Sequence, residues 1–250
     1  MHAYYAMKQD RRRFLLVTGA GATVLALGGF SLAARAQGDP AKALKIGIIG
    51  SGRIGSTLGG LWVKAGHEVM FSSLDLEHDK ALAASLGAKA HAGSTREAAT
   101  FGEVLLVAVP YSALPQLGKD LAVVIKGKVV LDACNPIPTR DGEIAAWARE
   151  KGAGLASAEL LPGARIVRTF NAIGYTRLTE IGSRQGERTG MPIASNDANA
   201  IALASRLVRD IGLEPVVVGP LAKGKYLMPG TPLAGEHTPE QIRQIAATLN

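Results

Sequence analysis

A run of branched apolar residues that ends in a spaced set of glycines constrains this chain more than any other feature. Leu44-Lys45-Ile46-Gly47-Ile48-Ile49 reads as a buried strand, and Gly50-Ser51-Gly52-Arg53-Ile54-Gly55 follows at once. Helical periodicity continues to about Ala65, the Gly66-His67 turn interrupts it, and Glu68 to Ser72 reads as a second strand. A strand, G-x-G-x-x-G, helix, strand unit of about 30 residues is the setting in which this spacing has a mechanism. Gly50 makes the tight turn, Gly52 lets the backbone approach a pyrophosphate, and Gly55 lets the helix lie against the sheet. The unbonded amides and positive end of the helix that starts near Arg53 then hold the phosphates.

The same alternation runs on. Strands are expected at Ala88 to His91, Val104 to Val109, Lys128 to Asp132, Arg165 to Phe170, Met191 to Ser195 and Pro215 to Val218. Helices are expected near 77–86, 94–100, 112–123, 142–151 and 197–211. Thirty glycines and twelve prolines with 5% aromatics supply the many short connections that such a chain needs. The expected fold is α/β, a Rossmann-like doubly wound, mainly parallel sheet of about eight strands in one domain, 37–250. A short loop-rich tail with Pro220, Pro229, Gly230, Pro232 and Gly235 closes it, followed by a helix from Pro239 to Leu249. In such sheets ligands sit beyond the carboxyl ends of the strands, which selects the loops 50–54, 72–75, 109–112, 133–136 and 170–174.

The first 36 residues are set apart by charge. Lys8, Arg11, Arg12, Arg13 and Arg35 against Asp10 give them +4 of the formal +7. The remainder has no arginine stripe with interleaved aromatics, so nucleic-acid binding has little support. Asp10-Arg11-Arg12-Arg13-Phe14-Leu15-Leu16 resembles the twin-arginine export motif. An uncharged run from Phe14 to Ala34 follows, and Ala34-Arg35-Ala36 offers a small-x-small cleavage site. The resemblance implies a removable signal over 1–36, a twin-arginine translocase as partner during export, and a periplasmic or extracytoplasmic location. A membrane anchor over 14–34 is the alternative, since a helix of that length crosses a core of about 30 Å.

Several stretches together resemble a family. Lys45 to Gly55, Gly66-His67-Glu68-Val69, Ala108-Val109-Pro110, Leu131-Asp132-Ala133-Cys134-Asn135-Pro136, Val167-Arg168-Thr169-Phe170-Asn171 and Gly219-Pro220-Leu221 occur in the order found in NADPH-dependent reductases of the deazaflavin coenzyme F-420. The resemblance runs from about Leu44 to Leu227. The domain is also similar to the cytoplasmic part of ferric reductases of the six-transmembrane epithelial antigen type, and more distantly to pyrroline-5-carboxylate reductase. The resemblance implies that Ser51, Gly52, Arg53 and Ile54 cover the pyrophosphate and that Ser73, beside Ser72, takes the adenosine 2′-phosphate. It implies that Val109 and Pro110 line the nicotinamide, and that Asn135, Pro136, Asn171 and Ile173 face a second ring system. Where the family usually has Arg after that serine this chain has Leu74, and where a lysine often helps it has His78. Ser72, Ser73 and Arg53 favour NADP, whereas Asp75 is the acid that an NAD-type diol contact would use.

Hydride transfer between a nicotinamide and a flavin-like ring is the cofactors' own chemistry, so no general acid or base need be sought. His67 and His91 read as structural, Cys134 as packing, and His237 as isolated. No His, Cys and carboxylate cluster has metal-ligand spacing. The sequence therefore leads to an NADP-dependent oxidoreductase with a flavin or deazaflavin as the small-molecule hydride acceptor. The alternatives are a reductase of a small carbonyl or imine bound in the loop 229–235, and an exported nucleotide-binding module without turnover. A homodimer is compatible with all three.

Overall fold

In the computed structural model, residues 42–181 and 187–249 are described. The export-like segment 1–36 lies outside them. The central strands of the sheet are short apolar runs bounded by glycine or polar residues, in the manner of strands buried on both faces, and the edge strands are less buried. In chain order they are β1 (Lys45–Ile49), β2 (Glu68–Ser72), β3 (Ala90–Ala92), β4 (Val104–Val107), β5 (Val129–Asp132), β6 (Arg165–Arg168), β7 (Gly190–Ala194) and β8 (Glu214–Gly219). Their spatial order is β3-β2-β1-β4-β5-β6-β7-β8. Pairing is parallel from β3 across to β6, antiparallel between β6 and β7, and parallel again between β7 and β8. This is the doubly wound, mainly parallel sheet that the sequence implies, with two strands reversed at one edge.

The period of two within the strands feeds two cores. Ile46, Ile48, Val104 and Leu106 meet Leu58, Trp62 and Leu207 on one face. Ile49, Leu105 and Val107 meet Leu114, Leu121 and Ala156 on the other. The first face is covered by α1 (Arg53–Lys64), α2 (Leu76–Leu86) and α9 (Ala198–Asp210). The second is covered by α3 (Thr95–Phe101), α4 (Leu114–Ile125) and α7 (Ala153–Leu160). Four further helices stand among the described residues: α5 (Pro138–Asp141), α6 (Glu143–Lys151), α8 (Tyr175–Ile181) and α10 (Pro239–Thr248).

Boundaries depart from expectation where the chain turns toward the site. β4 stops at Val107 and β6 at Arg168, each two residues short, so Ala108-Val109 and Thr169-Phe170 belong to the rim rather than the sheet. Neither α7 nor α8 was expected from periodicity. Ala153-Gly154-Leu155-Ala156-Ser157-Ala158-Glu159-Leu160 is mostly small and apolar with no preferred face, and tertiary contact defines this helix: a Cβ on Gly154 would stand 2.6 Å from the Leu221 carbonyl. No helix among the described residues is long and apolar enough to cross a membrane.

Candidate functional site: a phosphate cradle at the strand-order reversal

The sheet order turns at β1, from which the chain goes first to β2 and then, after β3, to β4 on the other side. The crevice between the ends of β1 and β4 is where ligands bind in open sheets of this kind. Gly50 closes β1 with φ +97°, and the amides of Gly50 and Ser51 both donate to the Ser72 carbonyl, at 2.9 and 3.1 Å. A Cβ on Gly50 would stand 2.5 Å from the Ala108 carbonyl, so backbone of β4's end fills that side. Gly55 is just as tightly held: its Cβ would lie 2.0 Å from the Gly50 carbonyl. Gly52 is the opposite. It caps α1 with no side-chain bond, no acidic residue follows in the first turn, and nothing lies within 4 Å of where its Cβ would be. The helix start is thus a set of outward amides facing open space, with a field suited to an anion.

A cleft of about 540 Å³ opens in front of this cradle, and it gathers Gly50, Gly52, Ser73, Leu74, Val109 and Pro110. Asp75, Thr95, Ser112 and Leu117 line it as well; Asp75 and Ser112 belong to loops selected from sequence, and Thr95 and Leu117 do not. Leu74 stands fully exposed on the rim and also borders a second hollow of about 550 Å³, which holds Ser94, Arg96 and Asp120. Arg96 had no motif to reveal it, and its guanidinium donates to the Asp120 carbonyl at 2.5 Å. Arg53 is exposed at the start of α1 with its guanidinium 5.2 Å from the Tyr175 ring. Ile54 is half-buried behind it.

The serines are committed elsewhere. Ser72 is buried and donates to the Ile48 carbonyl at 2.7 Å. Ser51 and Ser73 converge on the carboxylate of Asp79, a fully buried residue in the first turn of α2. Ser51 binds one carboxylate oxygen; Ser73 binds the other at 2.9 Å and accepts from the Asp75 amide at 3.1 Å. Asp75 caps α2 by accepting from the His78 amide at 3.0 Å.

The residues expected at the second ring form a separate group at the ends of β5 and β6. A buried ion pair holds it together: Arg168 donates to Asp132 at 2.7 Å, and their side chains are 0% and 1% exposed. The same guanidinium donates to the Cys134 carbonyl, to Asn135 Oδ1 and to the Gly224 carbonyl, while Asp132 accepts from the Cys134 amide. Asn135 in turn donates to the Asn171 carbonyl at 3.0 Å. Asn171, Ile173 and Pro136 are buried, and Asn135 is half-buried. Phe170, just before Asn171, is the one non-glycine residue at positive φ among those described (65°), held by an edge-on contact with Trp62 at 5.8 Å between ring centres. The sequence carried a signal for the ion pair, since Asp132 ends the otherwise apolar β5 and Arg168 ends β6 after Ile166-Val167.

The remaining groups are structural. Burial pushes the Cys134 thiol well above its ordinary range, and it donates to the Val107 carbonyl. His67 sits at the opposite end of the sheet, where Nδ1 accepts from the Leu44 amide and Nε2 meets Asp210 at 2.9 Å. His91 packs edge-on against Phe101. Among the described residues no group of three or more His, Cys, Asp and Glu could hold a metal ion.

Residues 45–136 match the family model described as NADP oxidoreductase coenzyme F420-dependent. The match falls on the cleft. It runs from β1 through the loop after β5 and so includes the cradle, the Asp79 tether and the Val109-Pro110 wall. Metalloreductase STEAP3 of Rattus norvegicus is 31% identical over 189 residues, which are 74% of this chain and 36% of that protein. The chain therefore spans about a third of that relative's length. A hypothetical protein from Sinorhizobium meliloti has the same fold, with a TM-score of 0.67 and 24% identity over 79% of this chain and 96% of the other. So does a putative F420-dependent NADP-reductase from an Arthrobacter species, with a TM-score of 0.61 and 20% identity over 73% of this chain and 88% of the other. By sequence, then, the site-bearing segment is similar to NADP-dependent oxidoreductases.

Proposed function

We propose that the protein is an NADP-dependent oxidoreductase that passes hydride between a nicotinamide nucleotide and a flavin or deazaflavin acceptor. The observation that carries this reading is the open cradle at Gly52, at the start of an uncapped helix that faces the cleft between β1 and β4. A dinucleotide fits these residues. The α1 amides would hold its pyrophosphate, and the exposed Leu74 rim its adenosine. Val109 and Pro110 would support the nicotinamide, and Asn135, as the resemblance implies, would face the acceptor. When bound, the nicotinamide supplies a hydride, two electrons and one proton from its C4, and the acceptor takes its second proton from solvent.

The chain's own part is to bind, orient and shield. Among the described residues Asp75 is the one titratable side chain lining the cleft, and it is engaged in capping α2. This supports a reaction between two ring systems over the reduction of a small carbonyl, which needs a positioned proton donor. The test is anaerobic mixing of the protein with NADPH and a flavin or deazaflavin. Oxidation at 340 nm that needs both protein and acceptor supports the reading, and oxidation with a small imine alone would replace it.

We further propose that residues 1–36 direct export by the twin-arginine route. Replacement of Arg11 and Arg12 by lysine should leave folded protein in the cytoplasm; continued export would refute the route.

A further inference from the structure

The Asp79 tether bears on how the cleft distinguishes nucleotides. A carboxylate with no exposure, in the first turn of α2, is bonded by the hydroxyls of Ser51 and Ser73. Ser51 belongs to the glycine loop and Ser73 to the segment just after β2, so one side chain ties both walls of the adenosine side to α2. For Ser73 the consequence is specific. Its oxygen accepts from the Asp75 amide, and its proton is directed to Asp79, with the Asp75 carbonyl at 3.2 Å as the alternative partner. A serine in that state has no proton for a phosphate, although it lines the cleft. A carboxylate behind it also opposes a second anion.

We propose that Asp79 is a specificity-determining positioning residue that withholds Ser73 from the ribose 2′ position and so narrows discrimination between NADPH and NADH. The proposal rests on the nucleotide-binding reading above. An amide at position 79 can donate to Ser73, which turns the serine's own proton toward the cleft and removes the charge behind it. One hydrogen bond gained to a charged group corresponds to roughly a tenfold or greater rise in preference for the phosphorylated nucleotide.

The test is titration of NADPH and NADH by fluorescence into the wild-type protein, Asp79→Asn, Ser73→Ala and the double variant, with melting curves for each. Asp79→Asn should raise the NADPH to NADH affinity ratio about tenfold or more. Ser73→Ala alone should leave the ratio at the wild-type value, and the double variant should lose the gain. Either an unchanged ratio in Asp79→Asn or a ratio lowered by Ser73→Ala alone overturns the proposal. If Asp79→Asn does not fold, Ser73→Ala still decides, because a serine already serving the phosphate would lower the ratio when removed. Failure of the wild-type protein to bind either nucleotide would instead refute the functional reading itself.

Discussion

Gly52→Val separates binding from folding at this site. Gly52 has φ −65° and ψ −162°, an extended conformation open to a β-branched residue, and its Cβ direction is empty. The fold loses only a tolerable helix cap, worth about 1 kcal/mol, which lowers Tm by about 2–4 °C in a domain of this size. The valine branches fill the space that a pyrophosphate needs in order to reach the α1 amides. Each amide-to-phosphate bond is charge-assisted and worth about 1.5–3 kcal/mol, so losing two raises Kd about a hundredfold to ten-thousandfold. Gly55→Ala is the contrasting variant. Its Cβ would press against the Gly50 carbonyl at 2.0 Å, and the cost falls on stability, about 1–3 kcal/mol or more from overpacking. Calorimetric titration of NADPH alongside thermal melts reads both. If Gly52→Val binds NADPH as wild type does, the pyrophosphate does not lie on this cradle and the reasoning fails.

Leu74→Arg should widen preference for NADPH over NADH at least tenfold with little change for NADH, since position 74 is fully exposed on the cleft rim; an unchanged ratio in paired titrations would show that it does not face the 2′ group. Asp132→Ala leaves Arg168 as an unpaired buried charge and should cost about 3–5 kcal/mol in urea unfolding, with a small loss indicating that the pair is not what holds the 133–136 loop. Burial lowers the His67 pKa below 6.5, against a smaller opposing pull from Asp210. The folded pKa lies below the unfolded value, so this stabilisation is present above about pH 6.5 and lost as pH falls through the folded pKa; Tm of wild type should therefore fall more steeply than that of His67→Gln on acidification, and parallel curves would contradict it.

Much of the fold was legible because the strands are buried on both faces and read as short apolar runs cut by glycines. The cradle was legible for a related reason: Gly50 needs a positive φ and Gly55 a close approach to the Gly50 carbonyl, both local demands that the glycine spacing records, while Gly52 meets nothing in the protein itself. What escaped is long-range. Asp79 sits on an ordinary helical face in sequence, and only folding brings it to Ser51, 28 residues away. α7 is defined by Leu221, far along the chain, not by its own periodicity. Arg96 enters the site side through the packing of α3 beside β2, which no local motif encodes. Asn171 and Ile173 were drawn to the site by resemblance alone, and both are buried in the fold.

Direct transfer of hydride across this cleft can be followed with deuterium. NADPH labelled at C4, as each diastereomer in turn, is mixed anaerobically with the full-length protein and a deazaflavin, whose reduced carbon does not exchange its hydrogen with water. Deuterium is expected on the acceptor ring from one diastereomer only, and Gly52→Val should lose the transfer. Label that stays on the nicotinamide, or that passes to water while the acceptor is reduced, would contradict direct transfer.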